Sequence, residues 1–152
     1  RVPKVFCGRE GSYCGRRRFY DNVLLDCWQM IWDTLKFFKE EEFRCSCCGR
    51  GKEEMDANFL RLLDLVRAIY SNPLVVTSGY RCEEHDIKIG GKGNHTTGKA
   101  VDLLVPDSAD RLKMAHAICK VGLHRVLIYK HKPHIHIDHC LDKTGGLFAI
   151  CD

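Results

Sequence analysis

The sequence has no run approaching the ~18 to 20 consecutive apolar residues that a membrane-spanning helix requires, which excludes a helical membrane protein. Its first residues, Arg1-Val2-Pro3-Lys4, also lack the apolar core of a signal peptide, so a secreted protein would be represented here by its mature form. Internal repeats and low-complexity segments are absent. Charge of one sign is in short supply: 24 Lys and Arg against 20 Asp and Glu leave a formal +4, which favours anionic surfaces such as a bacterial wall or a nucleic acid but is too small and too scattered to decide between them. Neither a nucleic-acid nor a membrane partner is expected, and a monomer is. What remains is an ordinary soluble composition, 45% hydrophobic and 29% charged, in 152 residues, enough for one sizeable core. Against this background the ten cysteines stand out. An even count spread along the whole chain argues for disulfides and an oxidising, extracellular compartment.

Residues 1 to about 21 show no apolar period and read as an irregular arm stapled by Cys7 and Cys14. Arg16-Arg17-Arg18 in that arm reads as a solvated basic face. From Val23, the residues Leu24, Trp28, Ile31, Leu35 and Phe38 recur at helical spacing, with Trp32 beside the stripe and both tryptophans assigned to the core. Residues 1–41 thus form an arm and a helix, and 42–152 the main domain. Phe59, Leu62, Leu63, Val66, Ile69 and Tyr70 mark a second helix, stopped by Asn72-Pro73. Leu74 to Ser78 reads as a buried strand, residues 79–99 as a glycine-rich loop, and Ala100 to Val105 as a second strand. Pro106-Asp107-Ser108 opens a helix with Leu112, Ala115, Ile118 and Cys119 inward and Gly122 at its end; strands at Val126–Tyr129 and His134–Asp138 follow. The expected class is α+β, with a small antiparallel or mixed sheet and helices packed on one side.

Asp102 is a lone acid in an apolar strand, expensive there unless it is paired or holds a metal. Strand alternation puts His134, His136 and Asp138 on one face and Ile135 and Ile137 on the other. With His95 in the glycine-rich loop, two histidines and a carboxylate from three segments suit a catalytic zinc site, three protein ligands and one open position. Three other signals carry less. Cys45-x-Cys47-Cys48 reads as disulfide-forming thiols, because closed zinc sites draw CxxC-type pairs from two places. Lys143-Thr144-Gly145 lacks the Ser-x-x-Lys that would make it a β-lactamase signature. Gly93 to Lys99 spells a phosphate loop, but Ala100 follows where Ser or Thr is required.

Taken in order, Glu42-Phe43-Arg44-Cys45, Thr77-Ser78-Gly79-Tyr80-Arg81-Cys82, Gly90-Gly91, His95-Thr96-Thr97-Gly98-Lys99-Ala100-Val101-Asp102 and His134-Ile135-His136-Ile137-Asp138 resemble the zinc D-Ala-D-Ala carboxypeptidase family. The likeness is to the branch that groups these enzymes with related peptidoglycan peptidases, and it runs from about Glu42 to about Cys140. The resemblance implies a fold shared with the hedgehog signalling domain, one zinc ion held by His95, Asp102 and His136, and a peptidoglycan peptide as substrate. It makes Arg81 the group that binds substrate and steadies the oxyanion, and places Ser78 and Tyr80 in the substrate site or its supporting loop. Several members carry a catalytic carboxylate just before the last histidine, where this chain has Lys130, His131, Lys132 and Pro133. His131 and His134 are therefore the candidates for general base, and Asp138 the carboxylate that orients His136 or His134. Asp86 stands where members often carry asparagine; both residues can cap a turn. Asn94-His95-Thr96 is formally a glycosylation sequon, expected to be unmodified beside a metal ligand. A secreted zinc peptidase is the expected function, with a catalytically silent, hedgehog-like zinc module as the alternative. Cys82, next to Arg81, and Cys140, two residues past Asp138, are expected to brace the site through disulfides, and Cys151 to tie down the tail.

Overall fold

A computed structural model describes residues 30–140 and 147–151. The Cys7–Cys14 arm, the arginine run, residues 23–29 and the Lys143-Thr144-Gly145 segment lie outside the described residues. The core of the fold is a five-stranded sheet: β1 (Val75–Ser78), β2 (Ala100–Leu104), β3 (Arg125–Tyr129), β4 (His134–Asp138) and β5 (Leu147–Cys151), ordered β1-β2-β4-β3-β5. All pairings are antiparallel except β3 with β5. The chain is α+β with a mixed sheet, as its pattern predicts.

Two long helices, α1 (Ala57–Tyr70) and α3 (Ser108–Val121), supply the apolar counterpart to one face of that sheet. Asp56 caps α1 by accepting the Phe59 N–H at 2.8 Å, and Ser71 closes it in the left-handed region at φ 63°, just before Asn72-Pro73. Phe59, Leu60, Leu63 and Val66 of α1, with Met114, Ala117 and Ile118 of α3, share a core with Val101, Leu103, Val126, Ile135 and Ile137 from the sheet. Each large apolar side chain so buried contributes ~1.5–3 kcal/mol.

Several local expectations need correction. The first helix stops at residue 34 instead of continuing to Phe38, because the Asp64 carboxylate accepts the backbone N–H groups of Lys36 and Phe37 at 3.2 and 3.0 Å and turns the chain. Trp32 and Phe38 still reach the core, packing on the Phe43 ring at centroid distances of 5.5 and 5.6 Å. Ile69 is exposed, and Leu60 takes a buried place beside Leu63. In α3 the buried residues are Met114, Ala115, Ala117 and Ile118, with Arg111 half-buried, while Leu112 and Cys119 face solvent. Arg111 earns this place by donating to the carbonyls of Val105 and Tyr129, at 2.8 and 3.0 Å, and of Lys132. The segment 79–99 is not all loop, for it contains α2 (Glu83–Lys88), whose first turn holds Glu83, Glu84 and Asp86 where the helix dipole favours acids. β5 has no counterpart among the predicted strands. Among the described residues, no helix is long and apolar enough to cross a membrane.

Gly98 locks the segment that carries His95 against the start of α1. It closes the 3₁₀ turn His95–Thr97 at φ +69°, and its carbonyl accepts the Asp56 N–H at 3.0 Å. A Cβ there would lie 1.8 Å from the Glu54 carbonyl oxygen. Gly98→Ala combines left-handed strain with a backbone clash and is expected to destabilise the fold by about 3 kcal/mol or more, read from urea unfolding midpoints.

Candidate metal centre

The face of the sheet away from the helices is polar, and its register assembles the site. Asp102 of β2 stands directly opposite His136 of β4, and His136 directly opposite Leu127 of β3. The 3₁₀ turn immediately before β2 delivers His95 to the same point. His95 Nε2, Asp102 Oδ1 and His136 Nδ1 lie 3.2, 3.4 and 2.8 Å from one another, and all three residues are buried. A tetrahedral ion with bonds of ~2.0–2.1 Å separates its ligand atoms by about 3.3 Å, so this donor set suits a zinc ion once the His136–Asp102 pair, at 2.8 Å, opens by about 0.5 Å.

The outward nitrogens are already committed. His95 Nδ1 is 2.7 Å from the Gly79 carbonyl, which can only accept, so the proton sits on Nδ1 and the Nε2 lone pair faces the other ligands. His136 Nε2 is likewise 2.9 Å from Asp138 Oδ2, leaving Nδ1 inward. Asp138 is fully buried and bound twice by Arg125, at 2.8 and 2.6 Å, and Asn94 Nδ2 donates to it at 3.2 Å. Asp138 is thus the carboxylate that orients His136. Asn94 is itself buried, its amide nitrogen turned inward, and is unsuited to accept a glycan.

Burial alone would raise the Asp102 pKa, but hydrogen bonds and charge from His136 and His95 outweigh it and hold the carboxyl well below its ordinary range. Burial works against a charged His136, yet its contacts with Asp102 and Asp138 prevail and raise its pKa. His136 Nδ1 and Asp102 Oδ1 are therefore groups for which protons and a divalent cation at the same point would compete.

A family model described as Peptidase M15 matches residues 36–138. The chain belongs to the Peptidase M15 family. This is a family of the zinc D-Ala-D-Ala carboxypeptidase type, so the protein is a metallopeptidase by family, and its buried His-Asp-His group is a possible zinc site. The matched span contains all three residues of that group together with Arg81, Asn94, Arg125 and Asp138, and ends before β5. A comparison with curated proteins gives no match.

Around the M15 group opens a cleft of about 640 Å³ whose lining includes Arg81, Lys92, Tyr129, Lys132 and His134. Arg81 donates through Nε to Ser78 Oγ at 2.8 Å and through one terminal nitrogen to Asp102 Oδ2, while the other is 3.5 Å from Asp86. Ser78 therefore positions Arg81. Tyr80 is buried outside the cleft lining, with the Arg50 guanidinium 5.9 Å from its ring. Asp86 does more than cap a turn: it is buried, pairs with Arg81, and accepts the Gly93 N–H at 2.8 Å, shaping the Gly90-Gly91 lip. A Cβ on Gly91 would fall 2.2 Å from an oxygen of this carboxylate. His134 lines the cleft beside Tyr129, the rings 5.3 Å apart, and burial lowers its pKa. His131 is exposed and not among the lining residues.

No disulfide joins two of the described cysteines, and Cys82 is a free thiol, which corrects the expected bracing. Cys82 faces Cys45 at 3.8 Å, Cys140 Sγ lies 3.6 Å from Thr97 Oγ1, and Cys151 is a free thiol in the cleft lining. Sequence reasoning missed Asn94, Arg125 and Tyr129. The one signal available for Arg125 and Tyr129 was strand parity with Leu127.

Burial alone would raise the Asp138 carboxyl, but hydrogen bonds from His136 and Arg125 bring it down to about 2. A carboxyl depressed on folding adds stability that is complete above its unfolded value near 4 and is lost as pH falls through about 2. In metal-free protein, the stability advantage of wild type over Asp138→Asn is expected to shrink by roughly 2 kcal/mol between pH 5 and pH 2, measured by urea unfolding. An advantage independent of pH would contradict this coupling.

Proposed function

We propose that the protein is a secreted, monomeric zinc peptidase that hydrolyses D-alanine-containing peptide bonds of bacterial peptidoglycan. The observation that carries this reading is the convergence of His95, Asp102 and His136 on one point at the floor of an open cleft that also presents Arg81 and His134. Zinc in that group would supply a water acidified to near-neutral pKa and a Lewis acid for the scissile carbonyl. Arg81 has five N–H donors, of which two are hydrogen-bonded to Ser78 and Asp102 while Asp86 is an ion-pair neighbour at 3.5 Å, so N–H groups remain for the substrate oxygen as charge develops on it. His134, kept neutral by its partial burial, accepts the proton of the attacking water and returns it to the leaving amine. The exposed Lys92 and Lys132 give the cleft a positive rim suited to an anionic peptide.

The competing reading, a catalytically silent zinc module of the hedgehog kind, draws on a single observation. Among the described residues, Asp102 is the only carboxylate in the cleft lining. Incubation with purified peptidoglycan, followed by mass analysis of what is released, separates the two. Free D-alanine indicates carboxypeptidase action and loss of cross-links endopeptidase action. No release from any wall preparation by metal-loaded protein selects the silent module.

A further inference from the structure

Away from the cleft, the described cysteines gather in a way that disulfide chemistry does not account for. The Sγ atoms of Cys45, Cys48 and Cys82 all lie within 4.8 Å of one another, and Cys45 and Cys82 are 3.8 Å apart. His85 Nδ1 stands 3.3 Å from Cys45 Sγ. In sequence these four residues form two pairs with the same spacing, Cys45-x-x-Cys48-Gly49 and Cys82-x-x-His85, drawn from two separate places. We infer that Cys45, Cys48, Cys82 and His85 form a second metal site, a closed Cys₃His zinc centre that is structural and separate from the His95, Asp102, His136 group.

The Cys45–Cys82 separation of 3.8 Å and the Cys45–His85 separation of 3.3 Å suit that chemistry; the three sulfurs lie within 4.8 Å of one another, and His85, which reaches Cys45 but stands farther from the rest of the group, would have to swing in to complete the set. Tetrahedral zinc with Zn–S bonds of ~2.3 Å separates its sulfurs by about 3.8 Å, and a sulfur from a nitrogen ligand by about 3.6 Å. The backbone is also arranged for thiolates. The Cys82 N–H points at Cys45 Sγ at 3.4 Å, and backbone N–H groups of Cys47 and Cys48 face the same sulfur. Gly49, at φ +72°, donates its N–H to the Cys45 carbonyl at 2.8 Å and closes the turn that brings Cys48 round. A Cys45–Cys82 disulfide would use two of the four groups and leave Cys48 and His85 with no role. Four ligands leave no open position, so the centre is not catalytic.

Its place in the fold gives it a task. Cys82 caps α2 and directly follows Arg81, while Cys45 follows the Phe43 whose carbonyl accepts the Tyr80 N–H at 2.9 Å. A metal joining these segments fixes the backbone on both sides of Arg81, and so the guanidinium that reaches Asp102.

Metal analysis of protein purified under reducing conditions should find two zinc ions per chain. After stripping and reloading with cobalt(II), thiolate-to-metal charge-transfer absorption should appear in wild type, persist in His95→Ala and disappear in Cys48→Ser. The control Cys119→Ser, at another exposed free cysteine, should keep it. Because Cys48 is exposed, its variant is expected to keep its circular dichroism while losing affinity at the second site by about 100-fold or more. One metal per chain with no thiolate absorption would overturn the inference. So would a Cys45–Cys82 disulfide in the reduced preparation.

Discussion

His95→Ala is expected to remove metal from the His-Asp-His centre and to lower peptide hydrolysis by about 10⁴-fold or more. The ion is asked for several kcal/mol of transition-state stabilisation as well as the nucleophile, and each ~1.4 kcal/mol lost is tenfold in rate. Two ligands cannot retain the ion well, because protons compete with it for Asp102 and His136, which lie 2.8 Å apart. The fold itself should survive. The substitution leaves the Gly79 carbonyl without its imidazole partner, a penalty of about 1–3 kcal/mol. Elemental analysis, circular dichroism and the rate of peptide cleavage together check this. A folded, metal-poor variant that still cleaves at the wild-type rate would refute the assignment.

Arg81→Lys is expected to lower kcat by about 10²–10³-fold with the metal content unchanged. The guanidinium is hydrogen-bonded to Ser78 and Asp102 and paired with Asp86, and its planar fork still leaves N–H groups for substrate. A lysine ammonium can satisfy Asp102, but it cannot span the three anchors and also present a donor to the oxyanion. Because the lost interaction forms as charge develops, the loss should fall on kcat more than on KM. A variant altered only in KM would make Arg81 a ground-state binding residue. Loss of metal along with activity would make it a support for Asp102.

What could be read in the sequence follows from how local the signal was. Strand alternation in His134–Asp138 is a two-residue period, and the structure reproduces both its limits and its faces, with Ile135 and Ile137 in the core and His136 and Asp138 in the site. Asp102 announced itself as a charge in an apolar strand, and the register opposite His136 explains how it is tolerated. Where tertiary partners decide, the pattern misled. Asp64, far along the chain, ends the first helix; Arg111 turns toward the sheet by binding three carbonyls while Leu112 stays exposed; and β5 forms by parallel pairing with β3, leaving Phe148 and Ile150 exposed. The cysteines were the hardest residues to read. Cys47 obscures the Cys45-x-x-Cys48 spacing, and the partner pair ends in a histidine, so a count of thiols points to bridges while, among the described residues, the fold brings Cys45, Cys48 and Cys82 together without a disulfide.

The most direct test of the metallopeptidase assignment is restoration of activity in protein stripped of metal. Zinc added back should restore cleavage of peptidoglycan peptides in wild type and Cys119→Ser, in step with occupancy of the His95, Asp102, His136 centre, and should not restore it in His95→Ala. Full cleavage by the stripped protein, with the centre shown to be empty, would contradict it.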